Sequence, residues 1–442
     1  MNIIHSVHIE GFWGTHELKI DLNPDVNFLI GANGSGKTTV INLIAAALSA
    51  DFHTLDRISF RKLEIRLSEV GGKKKPTIVI EKKPYEHMPF LGVAYKIKQH
   101  TKEPWTEFSL GEIEEQFMIR GENRWIKSSA TYAFNEPNAV FSRPVRALQS
   151  QHNNVLQTLS SMLNVKWLSV HRSDMSRTIK KERGHESTVD EKLEALVQDL
   201  VRYFGSLTRS AELQTEAFQK SFFLSLVPTQ DELKFWYSST TLDLKKEEKA
   251  LIEIFDQFHV ESKHYKARLS QYFDRTGDAF KKVSNAQEIN MVEIGNILTA
   301  WRIHKIVEQW TSLNKKRSEI YKPRTVFLDV VNSMFQRKRI DLNDKNELTV
   351  VTQSGKTFPA HSLSSGEKQL LIFLGESLLQ EKATWVYIAD EPELSLHVEW
   401  QEQLISNLRS INPSAQILFA THSPDIVSSY SRNVFDMEKI LK

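Results

Sequence analysis

The chain has 442 residues, about three times the ~150 residues of a typical domain, so two or three structural units with sizeable cores are expected. Hydrophobic residues at 40% and charged residues at 25% are ordinary for a globular protein and exclude collagen-like, disordered and disulfide-scaffold classes. Fifty-seven Lys+Arg against 55 Asp+Glu leave a net charge of +2, which gives no argument for nucleic acid. The absence of cysteine excludes disulfides, thiolate zinc sites, cysteine nucleophiles and a CxxC hook, and fits a reducing compartment.

The N-terminus, MNIIHSVHIEGFWG, lacks a cationic segment followed by an apolar one, so no secretory signal is expected. The most apolar stretch, Val40 to Ala50, is interrupted by Asn42 and falls short of the ~20 residues that span a membrane. A cytoplasmic protein with no membrane partner is expected. Residues 3–10 and 17–22 read as strands, and the apolar run Val26–Ile30, bounded by Pro24 and Gly31, as a buried one. Helical patterning starts at Lys37. KLEIRLSEV, PTIVIEKK and GVAYKIKQ, between 62 and 99, alternate as antiparallel strands do. The lysine run 73–75 reads as a solvated hairpin tip. The basic, polar segment 169–186 reads as a boundary loop, and from about 174 the chain turns helical, with apolar residues at helical spacing in 188–204, 244–258 and 295–310. None sustains a heptad, so a helical insertion of moderate size is expected rather than a long coiled coil. Strands at 338–342, 347–352, 384–389 and 415–420, with helices at 366–380 and 397–410, return to α/β alternation and imply a largely parallel sheet covered by helices. The expected division is an N-terminal lobe 1–173, a helical insertion 174–324 and a C-terminal lobe 325–442.

Gly31-Ala32-Asn33-Gly34-Ser35-Gly36-Lys37-Thr38 fits GxxxxGK[ST] at every fixed position, after an apolar strand and at the start of a helix. Glycines let backbone N–H groups turn inward around phosphates, and the helix N-terminus adds positive potential. Lys37 is expected on the β- and γ-phosphates and the Thr38 hydroxyl on Mg²⁺, with Thr39 completing the nucleotide-binding segment. Trp385-Val-Tyr-Ile-Ala-Asp390-Glu391 is an apolar strand ending in two carboxylates. Asp390 would hold magnesium and Glu391 would polarise the attacking water. By itself a strand followed by Asp-Glu is also what a solvated strand end looks like.

Three further segments remove that ambiguity. Leu363-Ser364-Ser365-Gly366-Glu367 resembles the LSGGE signature of ABC-type ATPases, with Ser365 in place of the first glycine. Leu394-Ser395-Leu396-His397 resembles the D-loop, and Ala420-Thr421-His422-Ser423-Pro424 the switch-histidine segment. Their order is the family order, and an insertion separates the lobes. The chain therefore resembles the SMC, RecF and OLD branch of ABC-type ATPases, at both ends but not in the middle. The resemblance implies an α/β ABC-type P-loop ATPase head, with a mixed sheet flanked by helices, an antiparallel β subdomain and a helical insertion. It implies ATP and Mg²⁺, and a homo-oligomer in which the signature residues Ser364, Ser365, Gly366 and Glu367 of one protomer complete the ATP site of another. His422 would contact the γ-phosphate or orient the water. Relatives carry a basic residue in an early xF[KR]xF element. Here Gly11-Phe12-Trp13-Gly14 stands there, and Trp13 has two readings, a stack on adenine or an apolar contact beneath the sheet. Gln149 and Gln151 are the Q-loop candidates.

ATP hydrolysis alone does not identify a biological role. DEPELSLHVEWQEQL, the compact insertion and the 20 residues after His422 resemble the ATPase subunits of bacterial anti-phage systems, the AriA type of PARIS first and the PtuA type of Septu next. This implies a sensor that controls a separate nuclease effector, a Toprim protein of the AriB type, in response to a phage-encoded trigger. The alternatives are a RecF-like repair ATPase that clamps DNA through a basic groove and an SMC-like structural protein. The near-neutral charge and the lack of long heptads count against these.

Overall fold

The computed structural model describes residues 1–86, 91–100, 102–109, 143–168, 188–225, 227, 242–381 and 383–442. The boundary loop expected at 169–186 lies outside them. The chain divides into two units, Met1–Arg202 with Arg324–Lys442, and Tyr203–Pro323.

The first unit opens with strands β1 (Asn2–Phe12), β2 (His16–Asp21) and β3 (Val26–Ile30), and continues through β4 (Lys62–Glu69), β5 (Thr77–Lys83), β6 (Gly92–Lys98) and β7 (Thr106–Ser109). Six of these form an antiparallel sheet in the order β2-β1-β4-β5-β6-β7. Period-2 alternation divides its faces. Leu63, Ile65, Ile80, Tyr95 and Ile97 are buried, while Glu64, Arg66, Glu81 and Lys96 form ion pairs on the opposite face. The Tyr95 hydroxyl donates to the Ala47 carbonyl at 3.1 Å, which joins the sheet to the helix Lys37–Ser49. The lysine run 73–75 falls in the connection between β4 and β5.

The second sheet carries the site. It adds β8 (Asn164–Trp167), β12 (Trp385–Asp390), β13 (Gln416–Ala420) and β14 (Val434–Asp436) to β3. Its order is β14-β3-β13-β12-β8, and every pairing is parallel. The strands are nearly continuous apolar runs, all of Gln416–Ala420 being buried, as a sheet covered on both faces requires. A third, antiparallel sheet takes β9 (Lys338–Leu342), β10 (Leu348–Thr352) and β11 (Thr357–Pro359). The expected mixture of orientations is thus divided between sheets.

One buried polar side chain joins the two large sheets. Gln416 Nε2 donates to the Ile4 and Asn23 carbonyls, each at 2.8 Å, and Gln416 Oε1 accepts from the Ile4 N–H at 2.8 Å. The β1–β4 register shifts between Ile4 and Ser6. This bulge turns the Ile4 backbone groups away from their ladder and leaves them to the glutamine.

The second unit is helical. The helices Thr188–Ser225, Leu244–Gln257, Ser262–Ser284 and Met291–Met334 supply it. Phe204, Leu207, Ile254, Tyr265, Phe273, Ala300 and Val307 are buried in it. Trp310 packs between Phe218 and Phe258, with ring centroids 5.3 Å from each, and buried Glu247 meets His304 Nδ1 at 2.6 Å. The segments read as helical at 188–204 and 295–310 are parts of helices of 38 and 44 residues. The reading stopped short because a cationic run at Lys315-Lys316-Arg317 and then Pro323 interrupt the apolar stripe. Pro323 nevertheless lies inside the helix, where it removes one backbone donor and crowds the carbonyl four residues earlier. No described helix is long and apolar enough to cross a membrane.

Candidate functional site: a phosphate loop facing paired carboxylates

Parallel pairing aligns the carboxyl ends of three strands. Ala420 pairs with Leu29 and with Asp390, so the segments leaving β3, β12 and β13 emerge together at one sheet edge, where open α/β sheets bind ligands. From β3 the chain enters Gly31–Gly36 and then the helix Lys37–Ser49. Gly34 and Gly36 have φ of 83° and 95°, which L-residues rarely adopt. A Cβ on Gly36 would also lie 3.0 Å from the Trp13 ring.

Lys37 is buried, and its Nζ donates to the carbonyls of Gly31 at 2.8 Å and Ala32 at 3.1 Å. Burial pushes this ammonium below the usual lysine value, and the carboxylates of Glu391, Asp390 and Glu393 pull it part of the way back. Thr38 Oγ1 donates to Asp390 Oδ1 at 3.0 Å, which joins the phosphate loop to the end of β12. Ser35 Oγ is buried with no partner among the described residues, while Ala32, Asn33 and Gly34 are exposed and Thr39 is half-buried.

Glu391 follows Asp390 in the left-handed region, φ 49°, and its N–H donates to the Ala420 carbonyl at 2.8 Å. That backbone turn aims the side chain at the segment after β13. Glu391 Oε1 lies 3.8 Å from His422 Nε2, with both side chains about one-third exposed. A carboxylate and an imidazole thus stand together beside the phosphate loop, the arrangement needed to orient water and take its proton.

The signature segment enters by another route. Ser364 caps the helix Ser365–Leu379 in a full capping box with Glu367. The Glu367 carboxylate accepts from the Ser364 N–H and hydroxyl, each at 2.8 Å, and from Lys338 Nζ at 2.9 Å. Burial raises the Glu367 pKa, but the hydrogen bonds from Lys338 and Ser364 and the Lys338 charge outweigh it and hold the group below its ordinary value. Glu367 therefore supports the segment from within; Ser364 and Ser365 are both exposed, and of the two Ser365 takes no part in the capping box. Gly366 lies under the D-loop, where a Cβ would approach the Ser395 carbonyl to 2.4 Å. Gln369 Nε2 reaches the Pro392 carbonyl at 3.3 Å.

Trp13 is 45% exposed and stacks on Phe12 at 4.7 Å, so its indole flanks the phosphate loop instead of lying beneath the sheet. Gln151 is on the helix Arg143–Met162 with a buried Oε1 that has no partner among the described residues. The Gln149 side chain lies outside the described residues. Sequence reasoning missed Lys338, Gln369 and Gln401, which carry no local motif. It had Glu393 as the next carboxylate to test, after Glu391, for the role of base.

A parallel sheet with a glycine-rich phosphate loop, a strand-end carboxylate pair and a facing histidine defines a P-loop ATPase head. The chain belongs to the AAA ATPase domain family, whose model matches residues 1–427, and it is an ATPase. It is similar to the DNA double-strand break repair Rad50 ATPase of Sulfurisphaera tokodaii, at 32% identity over 101 residues, 22% of this chain and 11% of that protein. It is also similar to the Retron Ec83 probable ATPase of Escherichia coli, at 22% identity over 457 residues, 98% of this chain and 71% of that protein. Among solved structures, the Smc head domain of Pyrococcus furiosus bound to the C-terminal domain of ScpA aligns over 97% of this chain and 92% of that one, with 12% identity and a TM-score of 0.37.

Proposed function

We propose that the chain is the ATP-hydrolysing sensor and scaffold subunit of a bacterial anti-phage defence system, of the AriA type, and that it controls a separate nuclease effector. The observation that carries the reading is the likeness to a retron probable ATPase along 98% of the chain, supported by a phosphate loop, strand-end carboxylates and a histidine gathered at one end of the parallel sheet. Phosphates enter the ring of N–H groups at Gly31–Gly36, and Lys37 exchanges its own loop carbonyls for the β- and γ-phosphate oxygens. Glu391 takes the proton of the attacking water and His422 contacts the γ-phosphate. Exposed Trp13 offers a ring face to the base. Ser364, Ser365 and Gly366 of a second protomer, at a helix N-terminus, close the site from the opposite side.

The donor set fits magnesium. Thr38 and Asp390 are hard oxygen ligands already in contact, and three carboxylates around one lysine leave negative charge to balance. When bound, the ion neutralises charge on those phosphates.

The test is phage challenge of cells carrying this gene alone, its genomic neighbour alone, or both, with wild-type or Glu391→Gln protein. Protection that needs both genes and an intact Glu391 is expected. Protection by this gene alone overturns control of a separate effector. The local match to a DNA-repair ATPase favours a second reading, a RecF-like DNA clamp. DNA-damage sensitivity of the deletion strain, without any phage phenotype, selects it.

A further inference from the structure

Glu393 stands two residues beyond Glu391 and binds the segment after β13. Its Oε1 accepts three hydrogen bonds, from Thr421 Oγ1 at 2.7 Å, the His422 N–H at 2.8 Å and the Ser423 N–H at 3.2 Å. Hydrogen bonds to an ionised oxygen are roughly twice as strong as neutral ones. The backbone on both sides of His422 is therefore gripped by one atom. The other oxygen, Oε2, is buried and has no partner among the described residues, so the grip runs through Oε1 alone.

The same grip extends to the D-loop. The Ser423 hydroxyl donates to Gln401 Oε1 at 2.7 Å, Gln401 Nε2 donates to the Leu396 carbonyl at 2.9 Å, and the Leu396 N–H donates to the Glu393 carbonyl at 2.9 Å. The turn 393–396, the first turns of the helix Val398–Ile411 and the segment Thr421–Ser423 form a closed ring of hydrogen bonds. Ser395, at φ 73°, sits at the strained point of that ring, above Gly366. The His422 imidazole itself is 37% exposed, so its direction is set by the backbone that carries it.

We propose that Glu393 is a positioning residue for hydrolysis. It holds the Thr421–Ser423 backbone so that His422 faces Glu391 across 3.8 Å, and Gln401 ties that hold to the D-loop. The inference rests on the reading of His422 as a γ-phosphate contact. It separates Glu393 from Glu391, since Glu393 Oε1 is already taken by three donors of the Thr421–Ser423 segment.

The test is ATP turnover by the full-length chain in a double-mutant cycle of Glu393→Ala with His422→Ala, with Glu393→Gln beside it. Glu393→Ala should lower kcat about 10- to 100-fold, the worth of hydrogen bonds to a charged group, with KM for ATP little changed. Glu393→Gln keeps an acceptor oxygen for the same donors and should stay within about threefold of wild type in kcat, well inside the ~1.4 kcal/mol that a tenfold change represents. In the His422→Ala background, adding Glu393→Ala should cost nothing further, since residues acting through one another are not additive. Equal losses from Gln and Ala overturn the proposal in favour of a base. An undiminished cost in the His422→Ala background overturns it in favour of a role elsewhere. Both outcomes leave the role of His422 intact. Wild-type turnover by His422→Ala removes that role and this inference together. If Glu393→Ala does not fold, Gln401→Leu takes its place in the cycle and should give the same non-additivity.

Discussion

Lys37 feels the charges of Glu391, Asp390 and Glu393 together. Its ammonium is held by two carbonyls of its own loop, a neutral cradle that a phosphate oxygen can replace with a stronger partner. Glu391 differs in kind, because it is one-third exposed and lies across from His422. Two substitutions should therefore separate binding from chemistry. Lys37→Ala should weaken ATP binding about 10- to 100-fold, the worth of a lost hydrogen bond to a charged group. Glu391→Gln should bind ATP as wild type does and turn it over about 10²- to 10⁴-fold more slowly, the range for a lost general base. Calorimetry and a phosphate-release assay check the two halves. Wild-type affinity in Lys37→Ala moves the phosphate site elsewhere, and undiminished turnover in Glu391→Gln moves the base.

At the scale of elements, the signature helix Ser365–Leu379 is held at its start by a capping box and by Lys338 from β9. The folded Glu367 carboxyl lies below its ordinary value of 4.5. A depressed folded value means stability that is fully present above 4.5 and is lost as pH falls through the lower, folded value. Lys338→Met should therefore cost about 1 to 3 kcal/mol near pH 7, toward the lower end because Lys338 is partly exposed and solvent-screened. The deficit should shrink as pH drops below 4.5. Urea midpoints of both proteins across that range check it, and a pH-independent gap refutes it. The same helix shows what a sequence conceals. Leu363–Glu367 and Gly31–Thr38 are legible because their chemistry is local, with every needed residue within a few positions. Strands β3, β12 and β13 are legible because burial on both faces makes them nearly continuous apolar runs. Lys338, Gln401 and Gln416 are not, because each acts on a partner far along the chain and has no pattern of its own. β8 is missed for a similar reason. Its four half-buried residues lie at the sheet's edge, and too few of them exist to show a period.

At the scale of the molecule, the outward presentation of Ser365 bears on assembly. Ser364 is tied into the cap, so a lesion there would also damage the helix start. Ser365→Arg leaves the cap in place and adds a bulky cation where a second protomer's nucleotide would dock. Alone, it should retain ATP binding and lose turnover. Mixed with Lys37→Ala, it should recover about a quarter to a half of wild-type activity per mixed dimer, because one of the two shared sites then carries both lesions and the other carries neither. This follows from the two-fold symmetry of an isologous pair. Turnover and subunit exchange measured on the same mixture check it. Exchange without recovery rejects a sandwich of two independent sites.

The place of β3 in the parallel sheet has a consequence for how the protein is made. β3 lies between β13 and β14, and Asn27 meets its neighbour Ile417 across 390 positions of chain. A ribosome adding about 5–20 residues per second needs roughly 20–80 s to cover that distance. For all of that time the strand leading into the phosphate loop has neither of its sheet neighbours. The antiparallel sheet β2-β1-β4-β5-β6-β7 can close early from nearby segments, but Val26–Ile30, buried over its first four residues, must wait. The nucleotide site is therefore a late product of synthesis, and nascent chains carry a bare, aggregation-prone strand until β13 arrives.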